Sequence, residues 1–262
     1  MISIETQNLI LKLFNSIAES ERSIEIHRQM LSDLYDFDAY QIFKFLDYNE
    51  KNRIDSNDLI NYLNSESFMT NQEETNLVIL FYDKDFDGVL AYPEFISLVQ
   101  SEKSLHKFPF SSKNNSLSYN VKKCLKKLLE KEIELARNVL YILKDIKKRY
   151  DFNIHELYHF MKGVNCFIIP DNIRLFFQKN NIKFIEPDIK SIIKRIDLNK
   201  DGRIDLAEFH IFFGYPECFH CCPCLNCVKC GTCFCNECFS NIPCHYHKTI
   251  IWACRMTCTQ TP

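Results

Sequence analysis

The chain has 262 residues, 46% of them hydrophobic, so it is long enough and apolar enough to form two domains with their own cores. Its 32 lysines and arginines nearly cancel its 34 aspartates and glutamates, a balance that favours neither a nucleic-acid-binding protein nor an acidic buffer. No leader pattern opens the sequence and no apolar run approaches the roughly 20 residues that span a bilayer, so we expect a cytoplasmic location.

The first predicted element is a long amphipathic helix. Between Ile10 and Leu34, the positions that are spaced alternately three and four residues apart are mostly apolar. This spacing places side chains on one face of an α-helix. The first half of the chain, residues 1–100, is therefore predicted to begin with a helix of about eight turns.

A candidate calcium loop follows at residues 83–94. It has carboxylates at positions 1, 3 and 5, glycine at position 6 and glutamate at position 12. Calcium takes six to eight oxygen ligands, so alternate residues of a tight loop point inward, position 7 offers its carbonyl, and the long glutamate reaches back with both oxygens. The predicted ligands are Asp83, Asp85, Asp87, Val89 through its carbonyl, and Glu94.

Residues 47–58 form a degenerate version of the same loop, 36 positions upstream. Ile54 keeps the apolar position 8, but Lys51 puts an ammonium where position 5 should supply an oxygen. Asp58, at position 12, is one methylene shorter than glutamate. We expect this loop to be a poor calcium site. Residues 101–120 then have the polar composition of a linker.

The second half, residues 121–214, repeats the sequence pattern of the first. Its amphipathic stripe runs from Leu125 to Arg149, and Glu19-x-x-Arg22 recurs as Glu134-x-x-Arg137 at a shift of 115 residues. We therefore expect an internal duplication. The second helix is basic as well as amphipathic, so two arrangements stay open: packing on its own loop pair or on the other helix, or filling the groove of a loop pair as an internal target.

The second half also holds one complete and one degenerate loop. The complete one is residues 197–208, with predicted ligands Asp197, Asn199, Asp201, Arg203 through its carbonyl, Asp205 through a water, and Glu208. The degenerate one, residues 161–172, has no carboxylate at a ligand position and should bind nothing. The complete loops resemble those of the calmodulin family, which implies four EF-hands in two pairs, joined by bridges between position-8 residues, and two calcium ions.

Residues 215–262 form a separate cysteine-rich tail. Twelve of the 14 cysteines lie between Cys218 and Cys258, many as Cys-x-x-Cys. Zinc held in a small, loop-rich module is the first interpretation, and palmitoylation at a membrane surface is the second. A tail without metal or lipid, docked on a partner, is the third. The candidate zinc ligands are Cys221, Cys224, Cys227, Cys230, Cys233, Cys235, Cys238 and Cys244.

These features predict a mainly α fold, in which a long amphipathic helix precedes each loop pair, and a non-enzymatic calcium-binding protein. Its role would be a calcium-responsive or structural interaction module with a fixed protein partner. The resemblance favours a cytoskeletal or ciliary (axonemal) partner, an inference by analogy. A passive calcium buffer and a zinc-dependent, ligase-associated protein are the alternatives. His155, His159 and His210 are expected to be separate packing or surface residues.

Overall fold

The computed structural model describes residues 2–101 and 117–214. The predicted zinc ligands and most of the predicted linker lie outside these ranges. The described chain forms ten α-helices, and its β structure consists of two isolated bridges, so the prediction of a mainly α fold is confirmed. The helices are α1 (Ile4–Ser32), α2 (Ala39–Leu46), α3 (Ser56–Ser65), α4 (Gln72–Tyr82), α5 (Tyr92–Val99), α6 (Tyr119–Lys147), α7 (Ile154–Lys162), α8 (Pro170–Lys179), α9 (Glu186–Ile196) and α10 (Leu206–Gly214).

Two long helices, α1 and α6, form the centre of the molecule. Each has 29 residues and begins at a serine whose hydroxyl caps the first turn: Ser3 accepts from the Thr6 amide and Ser118 from the Val121 amide. The two helices pack most extensively on each other. Their facing apolar residues are fully or almost fully buried: Ile10, Leu13, Ile17, Ile24 and Leu31 from α1, and Leu125, Leu128, Leu135, Val139, Ile142 and Ile146 from α6.

Each long helix also packs on the opposite half of the chain. Helix α1 lies against α9, where Arg22 Nη2 is 2.7 Å from Asp188 Oδ1. Helix α6 lies against α4, where Arg137 Nε is 2.6 Å from Glu74 Oε1. These two ion pairs occupy equivalent positions of the sequence repeat. The two halves are therefore interlocked across the α1–α6 contact, and α6 packs on the other long helix, as the first alternative from the sequence expected.

Five side chains form a buried ion cluster where these helices meet: Glu21, Arg28, Tyr82, Glu132 and Arg195. Glu132 accepts from Arg28 Nη2 at 2.8 Å, from the Tyr82 hydroxyl at 2.5 Å and from Arg195 Nη1 at 3.0 Å. Arg28 also donates to Glu21 at 2.8 Å, and Arg195 Nε donates to Glu21 at 2.8 Å. Two guanidinium groups thus face two carboxylates, which keeps the cluster electrically balanced.

The buried ion cluster connects the two halves through charge. Burial alone would raise the pKa of Glu21, but the charges of Arg195, Arg28 and Lys194 hold that pKa well below its usual value. Tyr82 is the last residue of α4 and Arg195 lies one residue before the end of α9. Tyr82 therefore stands directly before the loop at residues 83–94, and Arg195 stands two residues before the loop at residues 197–208.

None of the described helices combines the length and the apolar character needed to cross a membrane.

Candidate calcium-binding loops

The loop at residues 83–94 connects α4 to α5 and gathers three carboxylates. One oxygen from each of Asp83, Asp85 and Asp87 lies within 4.8 Å of the others. The backbone turns sharply because Phe86 and Gly88 have φ of 59° and 86°, and at position 6 glycine adopts this conformation without strain. Asp83 accepts from the Phe86 amide at 2.7 Å and from the Gly88 amide at 2.8 Å, which fixes its carboxylate inside the loop.

Glu94 closes this loop from the first turn of α5. Its Oε1 accepts from the Lys84 amide at 2.7 Å and its Oε2 accepts from the Ala91 amide at 2.9 Å. Both oxygens therefore face back into the loop, as a bidentate position-12 ligand requires. Burial, together with the charges of Glu94 and Asp87, raises the pKa of Asp83 to about 8. A bound cation would remove that repulsion.

The loop at residues 197–208 connects α9 to α10 with the same backbone path. Lys200 and Gly202 have φ of 63° and 86°, matching Phe86 and Gly88. Asp197 accepts from the Gly202 amide at 2.8 Å, and Asn199 Oδ1 accepts from the Asp201 amide at 2.9 Å. The first, third and fifth loop positions are thus oriented by the loop's own amides.

Glu208 folds back over this second loop. Its Oε1 accepts from the Asn199 amide at 3.0 Å and its Oε2 accepts from the Asp205 amide at 2.9 Å. Burial, with the charges of Asp205 and Asp197, raises the pKa of Glu208 to about 7. One carboxylate oxygen of Asp201 already has a partner within the loop, because Oδ2 accepts from Arg203 Nε at 2.8 Å. A bound ion would have to compete with this guanidinium for one oxygen of Asp201.

Each complete loop is joined to the degenerate loop before it by one antiparallel bridge. The Ile54 amide donates to Leu90 at 3.0 Å and the Leu90 amide donates back at 2.8 Å. Ile168 and Ile204 exchange the same two bonds at 3.0 and 2.8 Å. All four residues stand at position 8 of their loops. The bridges therefore hold each candidate ligand set in register with its neighbouring loop.

The degenerate loop at residues 47–58 keeps the backbone path of the complete loops, but the ammonium group of Lys51 lies among its carboxylates. Glu50 and Asn52 have φ of 54° and 58°, at the same two positions as in the complete loops. The Lys51 ammonium lies 2.5 Å from Asp55 Oδ2 and 2.9 Å from Asp58 Oδ2. These are the carboxylates of positions 9 and 12, so the ammonium neutralises groups that would otherwise face a calcium ion.

The degenerate loop at residues 161–172 is built from neutral amides instead. Asn172 Oδ1 accepts from the Ile169 amide at 2.9 Å, and its Nδ2 donates to the Lys162 carbonyl at 3.0 Å. Asn165 Nδ2 donates to the same Asn172 oxygen at 3.2 Å. The positive φ of 58° falls on Gly163, at position 3 rather than position 6. This loop has neither the charge nor the backbone path of the other three.

The ligand chemistry of the two complete loops fits calcium. Every candidate ligand atom is an oxygen, which a hard divalent cation prefers. Position 12 is glutamate in both, whose two oxygens suit the larger coordination number of calcium over that of magnesium. The raised pKa values of Asp83 and Glu208 report carboxylates crowded together in a partly buried space. Such a space is stabilised by a bound cation.

The prediction that three histidines are separate residues is wrong for two of them. The Nε2 atoms of His155 and His210 lie 3.2 Å apart, which brings α7 and α10 together. Burial, with a smaller effect of His155, lowers the pKa of His210 to about 4. A local signal was present: residues 155–159 read His-Glu-Leu-Tyr-His, an H-E-x-x-H pattern, which sequence reasoning overlooked.

Part of the second half matches a known family. A family model described as EF hand matches residues 189–213, which contain most of α9, the whole loop at 197–208 and nearly all of α10. No curated protein matches the chain. An EF-hand is a helix–loop–helix unit whose loop binds calcium through oxygen ligands. Residues 189–213 are therefore similar to an EF-hand unit, and this similarity supports calcium binding by the loop at residues 197–208.

Proposed function

We propose that the chain is a calcium-binding structural protein with four EF-hand units in two pairs. One ion would bind at residues 83–94 and one at residues 197–208, and these ions would lock a self-contained helical bundle. The two complete oxygen ligand sets, each closed by a glutamate that faces back into its loop, support the ion sites. The degenerate loops would serve as their structural partners.

The observation that carries the locking role is the placement of α4 and α9. Each is the helix that enters a complete loop, and each packs on the long helix of the opposite half. In sensor EF-hands, calcium changes the angle between the helices and exposes an apolar groove. Here such opening would pull α4 from α6 and α9 from α1. It would also separate the charged side chains of the buried ion cluster from their partners, which is costly for buried charges.

The position of α6 supports the same function. Its basic first half lies on the first half of the chain, where Lys126 Nζ donates to the Glu66 carbonyl at 2.5 Å and the Tyr62 hydroxyl donates to the Lys122 carbonyl at 3.2 Å. A helix of this kind is what calmodulin-like units bind in their targets. We infer that the bundle supplies its own target helix, so calcium would stabilise an internal contact.

A protein partner would then bind the outside of a preformed bundle. This agrees with a fixed structural partner, for which a cytoskeletal or ciliary identity and a cytoplasmic location stay predictions from sequence. A non-enzymatic role is part of the same proposal. The passive buffer is distinguished from it by the following experiment, and the zinc-dependent alternative stays a prediction from sequence.

Hydrogen–deuterium exchange of the full chain, with and without calcium, tests the proposal. We expect calcium to slow amide exchange along α1 and α6, outside the loops themselves, and to leave the binding of a hydrophobic dye unchanged. The Glu94→Gln and Glu208→Gln double variant, which keeps the size of both side chains, should lose the slowing. An increase in dye binding would identify an opening sensor instead. Protection confined to the two loops would identify a passive buffer.

A further inference from the structure

A pair of histidines at the contact of α7 and α10 has the geometry of a metal chelate. His155 lies in the first turn of α7 and His210 in the middle of α10, and both are half-buried. Their Nε2 atoms are 3.2 Å apart, and their ring centroids are 4.7 Å apart at an interplanar angle of 61°. Two elements distant in sequence thus direct the same nitrogen of two imidazoles at each other.

The separation of the two nitrogens agrees with tetrahedral zinc coordination. Zinc binds imidazole nitrogen at about 2.0–2.1 Å, so two nitrogens on one tetrahedral ion stand about 3.3–3.4 Å apart. Without a metal, two nitrogens at 3.2 Å require one ring to carry the Nε2 proton and donate it to the other. A metal ion would replace that one proton and use the lone pairs of both rings.

The sequence adds a third imidazole on the same helix. His159 follows His155 by four residues within the H-E-x-x-H pattern, and side chains four residues apart share a helix face. This is the spacing with which two histidines of one helix bind a zinc ion. His159 is exposed, with its ring centroid 6.1 Å from that of Tyr158, and it would join the pair by rotation of its side chain.

We propose that His155, His159 and His210 bind a transition-metal cation, with zinc as the best match. Imidazole nitrogen favours zinc and its neighbours in the first transition row over calcium, so this site would not compete with the oxygen-lined loops. The ion would link α7, the first helix of the second half's loop pair, to α10, its last helix. The second half's loop pair would thereby bind two cations of different chemistry, calcium through oxygen ligands and zinc through imidazole nitrogens.

Nuclear magnetic resonance of the full chain labelled with nitrogen-15 at histidine tests the site. The tail cysteines are themselves predicted zinc ligands, so the readout must identify individual imidazoles among the eight histidines of the chain. The labelled protein is saturated with calcium and titrated with zinc chloride. We expect the ring signals of His155, His159 and His210 to move to metal-bound positions, while that of His27 in α1 stays unchanged.

Matched variants make the result decisive. His155→Gln should abolish the shift of the His210 signal, and native mass spectrometry should count one zinc fewer in the His155→Gln/His210→Gln variant than in the wild-type chain. Glu156→Gln, inside the same pattern but not a proposed ligand, should keep the wild-type count. Thermal unfolding in chelator checks that each variant folds. Unmoved imidazole signals in the wild-type chain, with equal zinc counts in all variants, would overturn the proposal and leave the pair as a simple hydrogen bond.

Discussion

Replacing Glu132 with glutamine tests whether the buried ion cluster holds the two halves of the molecule together. The substitution keeps the shape of the side chain and removes its charge. Glu132 is fully buried and accepts from Arg28, Tyr82 and Arg195, with its two Arg195 contacts at 3.0 and 3.1 Å. After the change, Arg28 would keep Glu21 and the half-buried Glu25 as carboxylate partners, and Arg195 would keep Glu21. The buried groups would thus have lost one negative charge, and the side-chain NH2 of the glutamine would face N–H donors.

The expected loss follows from that imbalance. Removing one partner from a buried ion pair costs about 3–5 kcal/mol, because a charge stays buried without compensation. A domain is commonly stable by only about 5–15 kcal/mol, so Glu132→Gln should lower the urea midpoint strongly or prevent folding. Adding Arg195→Met to the same chain restores the charge balance between Arg28 and Glu21. This second change should recover part of the lost stability.

The matched control lies two residues further along the same helix. Glu134 is 44% exposed in its side chain and pairs with Lys131 at 2.5 Å on the surface of α6. Glu134→Gln should cost less than about 1 kcal/mol, the usual value of an exposed ion pair. The assay is urea unfolding in saturating calcium, followed by circular dichroism. A Glu132→Gln stability within about 1 kcal/mol of the wild-type value would refute the role assigned to the cluster.

Two further predictions concern the loops. Lys51→Ser should remove the ammonium from the first loop, supply an oxygen at position 5 and create a weak third calcium site that native mass spectrometry can count. Lys44→Ser, which removes a half-buried lysine that donates to Asn52 of the same loop but supplies no oxygen at a ligand position, should not create this site. Equal calcium counts in both variants would contradict the role of the Lys51 ammonium. Calcium affinity should also decrease as pH is lowered, because the metal-free pKa values of Asp83 (about 8) and Glu208 (about 7) mean that binding must release protons below those values. Each proton released lowers affinity up to about tenfold per pH unit, so calorimetry at pH 6.5, 7.5 and 8.5 should show affinity rising and then levelling, and a pH-independent affinity would exclude this coupling.

The same raised pKa values fix the sign of the stability change in the metal-free chain. The carboxyl of Asp83 ionises near 3.8 when exposed and near 8 when folded without metal. Between these values the unfolded chain has lost a proton that the folded chain keeps. The metal-free fold should therefore lose stability as pH rises from about 4 to 8, and calcium should reverse the loss. Thermal unfolding in chelator across this range measures the effect.

The sequence predicted the features that depend on local pattern. The stripe from Leu125 to Ile146 alone specifies which face of α6 is buried, and the oxygen spacing in residues 83–94 alone specifies a candidate ion site. Both follow from the fixed periods of a helix and of a twelve-residue loop. The long-range arrangement does not follow from such periods, since the Arg22–Asp188 and Arg137–Glu74 pairs join residues far apart in the chain.

Part of the information about these long-range contacts is visible in the sequence, as single residues that break a local pattern. Glu132 stands in the middle of an apolar stripe, where a charge indicates a buried partner, but the sequence does not identify Arg28 or Arg195 as that partner. Lys51 was recognised as an obstacle to calcium, although its docking on Asp55 and Asp58 depends on the folded loop. Side-chain partners across a core are set by tertiary packing rather than by local sequence.

The measurement that tests the account most directly is a count of calcium ions on the full-length chain by native mass spectrometry. The account predicts two ions on the wild-type protein, one on Glu94→Gln, one on Glu208→Gln and none on the double variant, because each glutamate closes one oxygen ligand set. A wild-type chain that takes up no calcium, or single variants that keep both ions, would contradict it.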